Sequence, residues 1–351
     1  MSQVSDSPSA VLPDAPVRSR ADRWRERLGG GWILLLLVVL VGTFSALKPA
    51  EFASLFNFRT LAIDAAILLV LAIGQAFVIM TAGIDLSVGS VLVFASVASS
   101  LVMLALSGQD SSTYGQTQAS WWVIGAGFVT AIVAGLAWGL INGFLVSRTK
   151  IPALIITLGT MGMALGAAQV LTNGQDVRGI PQELIRVIGS GRVAGVPILV
   201  LIALVVAIVA AIMLNKTRFG TWTLATGSSE EAARRSAVPV RRQLLKVYAF
   251  AGALAGLAAI MSIARFSTTT IGGHTQDNLA TISAVVLGGT SLFGGVGTIL
   301  GTVIGVFIPV VLLNGFIIIG IPPFWQTIAM GAVLIAAVYV DQMKRRRRIM
   351  A

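Results

Sequence analysis

Between residues 32 and 340 this chain alternates long apolar runs with short polar connections, and that rhythm decides what it can fold into. Ten such runs stand out: 32–47, 61–82, 84–106, 121–146, 153–171, 197–214, 247–264, 279–293, 296–319 and 324–340. Most approach the roughly twenty residues a helix needs to cross the hydrocarbon core of a bilayer. Composition agrees. Hydrophobic residues make up 56% of the chain and charged residues only 11%, against about a quarter charged in ordinary soluble domains. The expected fold is an all-α, polytopic integral membrane domain of ten helices over 31–340. Polar flanks at 1–30 and 341–351 bracket it.

The net charge of +11 would suggest nucleic acid in a soluble protein, but here its placement reports topology. Nineteen of the 25 Lys and Arg fall in four segments: the 1–30 tail, the turn at Arg148 and Lys150, the 215–246 loop and the tail from 341. Cytoplasmic loops carry such an excess, so these four are expected inside, which requires an even number of spans. The first apolar run lacks a small-residue cleavage site and follows a thirty-residue leader. It therefore reads as an uncleaved span behind a disordered basic tail. The chain has no Cys, which excludes disulfides, thiolate metal sites and thiol catalysis.

Two neighbouring pairs of runs have no loop between them. Only Gly83 and its neighbours separate 61–82 from 84–106, and only glycines separate 279–293 from 296–319. A helix break or re-entrant segment is expected at each. At the first, a carboxylate at Asp85 is costly in a bilayer unless it faces protein, a cap or water. Asp85 or Ser87 is expected to cap the helix that restarts there. An unwound segment is tolerated only where protein or an aqueous path surrounds it, so the same residues are candidates for a path. The stretch 76–92 aligns without gaps on 284–300, a weak internal duplication of the kind that brackets substrate sites.

The 215–246 loop is the longest basic interval between runs. Within it Ser228, Ser229, Glu230 and Glu231 give the capping-box pattern, with Ser three residues before Glu. Arg234 and Arg235 follow near the other end, as the helix dipole favours, and Pro239 limits the helix. Between them Ala232 and Ala233 allow another surface to approach closely. On the residues alone the loop is either a solvated connection or a docking element.

Uncharged polar residues punctuate the runs: Gln75, Asn142, Thr157, Thr160, Gln169, Thr290, Ser291 and Asn314. Each can hydrogen-bond a neighbouring helix; together they suit a path for a neutral, polyhydroxylated solute. Glycines four apart (Gly135, Gly139 and Gly143; Gly252 and Gly256; Gly301 and Gly305) allow helices to approach closely, and packing within one chain is expected over a dimer seam. Asp64 is expected near an interface, Arg265 in solvent, and the single His274 in an external polar loop without ligand partners. Phe58, Trp121, Trp122 and Trp325 sit where interfacial aromatic belts form. No catalytic or metal cluster is evident, and no G-x-x-x-x-G-K-[ST] phosphate loop occurs. ATP is therefore not expected to bind in that way, and if ATP drives the chain a separate subunit supplies the energy.

The stretch TWTLATGSSEEAARRSAV resembles the cytoplasmic coupling loop of permeases from ATP-driven (ABC) sugar importers. Three further stretches, TAGIDLSVGS at 81–90, ISAVVLGGTSLFGGVGTILGT at 282–302 and LLNGF around Asn314, are similar to ribose-type permeases in particular. The resemblance implies a permease subunit of the bacterial inner membrane, working as a homodimer with ABC ATPase subunits that hold ATP and Mg. An external solute-binding protein would deliver a monosaccharide. Carried onto this chain, Ser228, Glu230, Glu231, Ala232, Ala233, Arg234 and Arg235 form the docking element. Gly83, Asp85, Ser87, Gln75, Asn142, Thr157, Thr290, Ser291 and Asn314 shape the path. Two departures stand out. Ser236-Ala237-Val238 replaces the usual Ser-Gly-Ile, and Asn278-Leu279-Ala280 replaces Glu-Leu-Asp before the eighth run, which leaves sugar specificity open. The alternatives are an ATP-independent facilitator, channel or secondary transporter of a small neutral solute, or an ABC permease for nucleosides or other polyols.

Overall fold

The computed structural model describes residues 31–108, 118–274 and 276–350. The expected disordered tail, 1–30, and part of the polar connection between the third and fourth runs lie outside the described residues. Each of the ten apolar runs becomes a helix. In order these are α1 (Gly31–Leu47), the short α2 (Pro49–Phe52), α3 (Leu55–Met80), α4 (Val88–Ser107), α5 (Trp121–Arg148) and α6 (Ala153–Thr172). A turn, α7 (Gln182–Leu184), leads through a π turn at Ile185–Gly189 to a hairpin of β1 (Arg192–Val193) and β2 (Val196–Pro197). Then follow α8 (Ile198–Lys216), α9 (Arg218–Ser228), α10 (Glu230–Arg235), α11 (Val240–Phe266), α12 (Asp277–Leu287), α13 (Ile299–Ile318) and α14 (Pro323–Met350). The 341–351 flank continues α14 as helix to Met350.

Among the described residues eight helices are long and apolar enough to cross a membrane. The other two runs give α1 and α12, the latter only 11 residues long. The expected eighth span, 279–293, is thus a half-length helix followed by an irregular loop, because Gly288 and Gly289 end it.

The helices sort into a centre and a ring. In α3, 89% of the span is buried and in α11 83%, whereas α6 and α8 are 28% buried. The ring helices turn Phe128, Val133, Phe144, Leu158, Leu204 and Ile208 outward, as lipid-facing surfaces require. Glycine lets the centre close up. A Cβ added to Gly135 of α5 would meet Gly252 O of α11 and come within 2.8 Å of Gly256 N. Gly139 and Gly143 face Tyr248, Ala249 and Leu245 in the same way. Across the second pair, Gly301 and Gly305 of α13 press on Gly288 and Ala284. Both glycine ridges are therefore consumed by packing within the chain, as expected.

The two ends of the bundle are distinct. At one, Val177 N donates to Thr269 Oγ1 (2.8 Å), Ile271 N donates to Asp176, and Ala119 N donates to Glu183. At the other, the 147–151 turn and residues 226–230 line one cavity. Two of the basic segments expected inside thus share one end.

Candidate functional site

The first break is real. α3 stops at Met80, α4 begins at Val88, and Ala82 lies in the left-handed region at φ 62°. Non-helical backbone at this depth must find partners within the protein, and it does. Thr157 Oγ1 donates to Ile84 O (3.1 Å) and accepts from Leu86 N (3.1 Å), so one hydroxyl serves two orphaned backbone groups. Asp85 Oδ1 accepts from Ser87 N (2.8 Å) and from Ser87 Oγ (2.6 Å). Asn142 Nδ2 of α5 donates to that same Ser87 Oγ at 2.8 Å. Asp85, Ser87, Asn142 and Thr157 are all buried and form one connected cluster.

The expected capping is only half correct. Asp85 satisfies the N–H of Ser87, but neither Asp85 nor Ser87 reaches into the first turn of α4. That task falls to Asn278 of α12, whose Oδ1 accepts from Gly89 N at 2.8 Å. A Cβ on Gly89 would meet Asn278 Oδ1 at 2.9 Å and the His274 carbonyl, so only glycine admits this arrangement. Asn278 was singled out as a departure at an external edge. It is instead a buried cap, because the chain before α12 folds back into the bundle.

His274 is likewise corrected. It is buried rather than set in an open loop. Its Nε2 lies 2.8 Å from Ser262 Oγ of α11, and its Nδ1 lies 2.7 Å from Asp277 Oδ2. Arg265 is not simply solvated, since its Nε lies 3.7 Å from Asp64 Oδ1.

Asp85, Ser87 and Asn142, with Val88, Val91, Gly139, Ala251, Gly252 and Ala255, line a tight crevice with no room for a water-sized sphere. One turn of α11 away a much larger cavity opens, of about 780 Å³. Its walls include Thr81 to Gly83, Arg148 to Ile151 and Thr226 to Glu230, with Arg234, Arg241 and Tyr248. That volume lies in the usual range of small-molecule sites. Tyr248 is fully buried at its inner wall, and its Oη would sit 2.7 Å from a Cβ on Gly83.

The other expected path residues are scattered. Thr290 and Ser291 lie in the second break, 288–298, where Ser291 Oγ donates to Asp341 Oδ2 of α14 (3.3 Å) and Leu292 N donates to the same oxygen (3.2 Å). Asn314 is at the far end of the bundle, with its Nδ2 donating to Asn57 Oδ1 (3.0 Å). Gln75 is buried in α3 beside Gly74, where a Cβ would lie 3.0 Å from Ala251 Cα. The residues that sequence reasoning missed, Tyr248 and Asp341, are a Tyr inside a helix and an acid beside a basic run; Asn278 stands out in the sequence only as a departure, without its capping role. No local pattern distinguishes them.

The 215–246 interval is mostly helical. α8 runs on to Lys216, and α9 packs inward through Phe219, whose ring lies 5.5 Å from Phe77 of α3 and 6.1 Å from Phe250 of α11. Gln243 Nε2 fastens α9 to α11 by donating to Phe219 O and Thr223 Oγ1, both at 2.9 Å. The capped helix of this interval is shorter than expected, six residues from Glu230 to Arg235. Ser228 ends α9, and Ser229 is the cap of α10, accepting from Ala232 N at 3.2 Å. Ser229 wins because its extended backbone (φ −160°, ψ 110°) points its oxygen at the free N–H groups. Glu230 pairs with Arg234 and Glu231 with Arg235 along the helix surface. Ala232 is exposed but Ala233 is only 4% exposed, so of the two alanines expected to lie open only Ala232 does.

Comparison with known proteins agrees with this architecture. Residues 57–338 match the family described as the permease component of the branched-chain amino acid transport system. The chain is 35% identical to the ribose import permease of Escherichia coli K12 over 89% of this chain and 93% of that one. It is 34% identical to the ribose import permease of Bacillus subtilis (93% and 96%). It is also 32% identical to the L-arabinose ABC transporter permease of Azospirillum brasilense (99% and 96%). No solved structure matches it. With bacterial permeases as relatives and eight helices of spanning length, it is a multi-pass transport subunit of the bacterial cytoplasmic membrane. The chain belongs to this family of transport-system permease components, among the permease subunits of ABC importers.

Proposed function

We propose that this chain is the permease of an ABC importer for a monosaccharide, ribose-like pentose or hexose, and that α10 is where it docks on the ATPase. The single observation that carries the reading is α10 itself. It is a capped six-residue helix whose exposed Ala232 stands between two self-neutralised Glu–Arg pairs. A surface of that kind admits close backbone approach without leaving buried charges unpaired. Its position beside the basic 147–151 turn agrees with a cytoplasmic location. Relatives named for ribose, arabinose and allose support a sugar as solute. The chain works as a homodimer with two ATPase subunits or fused halves, which bind ATP and Mg, and with an external solute-binding protein.

The cluster of Asp85, Ser87, Asn142 and Thr157, with Gly83, lies beside the path. It offers neutral hydroxyl and amide groups, the donors and acceptors a polyhydroxylated solute needs. Thr290 and Ser291 shape the second break, Asn314 makes a helix-to-helix polar contact with Asn57, and the fully buried Gln75 amide has no hydrogen-bond partner among the described residues. The test is a pull-down of the ATPase combined with uptake of radiolabelled ribose, arabinose and allose into membrane vesicles, wild type against Ala232→Arg. Loss of both in a folded variant is expected. Normal binding and normal uptake would remove the coupling assignment and favour an ATP-independent facilitator. A thermal-shift screen of the partner binding protein over sugars, polyols and nucleosides identifies the solute.

A further inference from the structure

Three backbone segments meet without side chains between them at the end of the molecule that carries α10. Gly227, in the last turn of α9, is closed on every side: a Cβ there would meet Met80 O and come 2.7 Å from Gly295 N. Gly294 is as confined, with its Cβ position 2.7 Å from Gly227 O and 2.8 Å from Ala82 N. A Cβ on Gly295 would lie 2.9 Å from Ser228 Cα. Gly295 N also donates to Met80 O at 3.0 Å.

Each segment belongs to a different part of the machinery. Met80 to Ala82 leads into the first break and so to Asp85 and Ser87. Gly294 and Gly295 lie in the second break, whose opposite side is held by Asp341. Gly227 and Ser228 are separated from α10 only by its cap, Ser229. Side chains rotate between staggered wells at small cost, but close-packed backbone passes a displacement on directly. The aromatic contacts of Phe219 join α9 to the flanks of α3 and α11; the glycine contacts join it to both breaks.

We infer that this glycine junction transmits movement of α10 to the two helix breaks together, with Gly227, Gly294 and Gly295 as positioning residues that touch neither solute nor ATPase. The inference rests on the coupling assignment for α10. Its test exploits the Cys-free chain. In the double variant Ser228→Cys, Gly295→Cys the two Cβ positions lie 3.0 Å apart, near the roughly 3.8 Å of a relaxed disulfide, so a small adjustment allows the bond. The permease–ATPase complex carrying both changes is reconstituted in lipid nanodiscs, and ATP hydrolysis is measured before oxidation, after it and after reduction. Oxidation is expected to lower turnover at least fivefold relative to the same complex before oxidation and reduction to restore it, with the ATPase still bound and neither single-Cys variant responding to oxidation. Recovery on reduction separates a locked junction from a misfolded protein. Unchanged turnover in a fully cross-linked complex overturns the inference, as does failure of the pair to cross-link or release of the ATPase on oxidation. Unchanged turnover while Ala232→Arg still abolishes ATPase binding refutes the junction alone and leaves the coupling assignment standing.

Discussion

The α5–α11 crossing gives a prediction in which one substitution has opposite signs at two places on a single helix. At Gly125 nothing lies within 4 Å of an added Cβ. Gly125→Ala therefore gains helix propensity, worth up to about 1 kcal/mol. At Gly135 the same methyl would meet Gly252 O, with Gly256 N at 2.8 Å and Gly256 Cα at 3.0 Å. All three are backbone atoms of α11, so no rotamer change relieves them, and the helices must separate by several tenths of an ångström or more. Such overpacking costs about 1–3 kcal/mol, and the lost close contacts of a small-residue interface add to it. Set against the propensity gain, Gly135→Ala is expected to be destabilising by about 2 kcal/mol, which places the two variants about 3 kcal/mol apart. Reversible unfolding in mixed dodecylmaltoside–SDS micelles, followed by circular dichroism, measures the difference. Equal stability of the two variants would refute the close backbone approach and return Gly135 to the lipid face.

Asp85→Ala removes the acceptor of both Ser87 N and Ser87 Oγ, which costs about 1–3 kcal/mol for buried orphaned donors. Asp85→Asn keeps an oxygen there and is milder; thermal unfolding ranks the two, and a folded Asp85→Ala without uptake assigns the residue to the path as well. The topology is checked with an impermeant maleimide on intact cells: Arg192→Cys, exposed at the β1–β2 hairpin, is expected to react and Ser229→Cys is not. The reverse pattern would invert the charge argument.

Much of this protein was legible before folding. The ten apolar runs determine ten helices because a backbone in hydrocarbon must satisfy itself locally, and loopless junctions at Gly83 and at Gly294 and Gly295 announce breaks, the second of which begins earlier, at Gly288. In the stretches 76–92 and 284–300, aligned as a weak duplication, α3 and α12 end at matching positions to within one residue. Glycines four apart declared close helix contacts, and Glu230 to Arg235 declared a short polar helix. The capping-box spacing pointed to Ser228 as its cap, but Ser228 ends the preceding helix and backbone direction gives the cap to Ser229. What the tertiary structure alone decided is which distant residues meet. Asn278 caps α4 from 189 residues away; Asn314 sits with Asn57 far from the Asp85 cluster; His274 turns inward to Ser262. A hydrogen bond between helices depends on how they rotate and where they cross. Those are set by summed packing over whole faces and leave no imprint on the few residues either side of the atom that makes the bond.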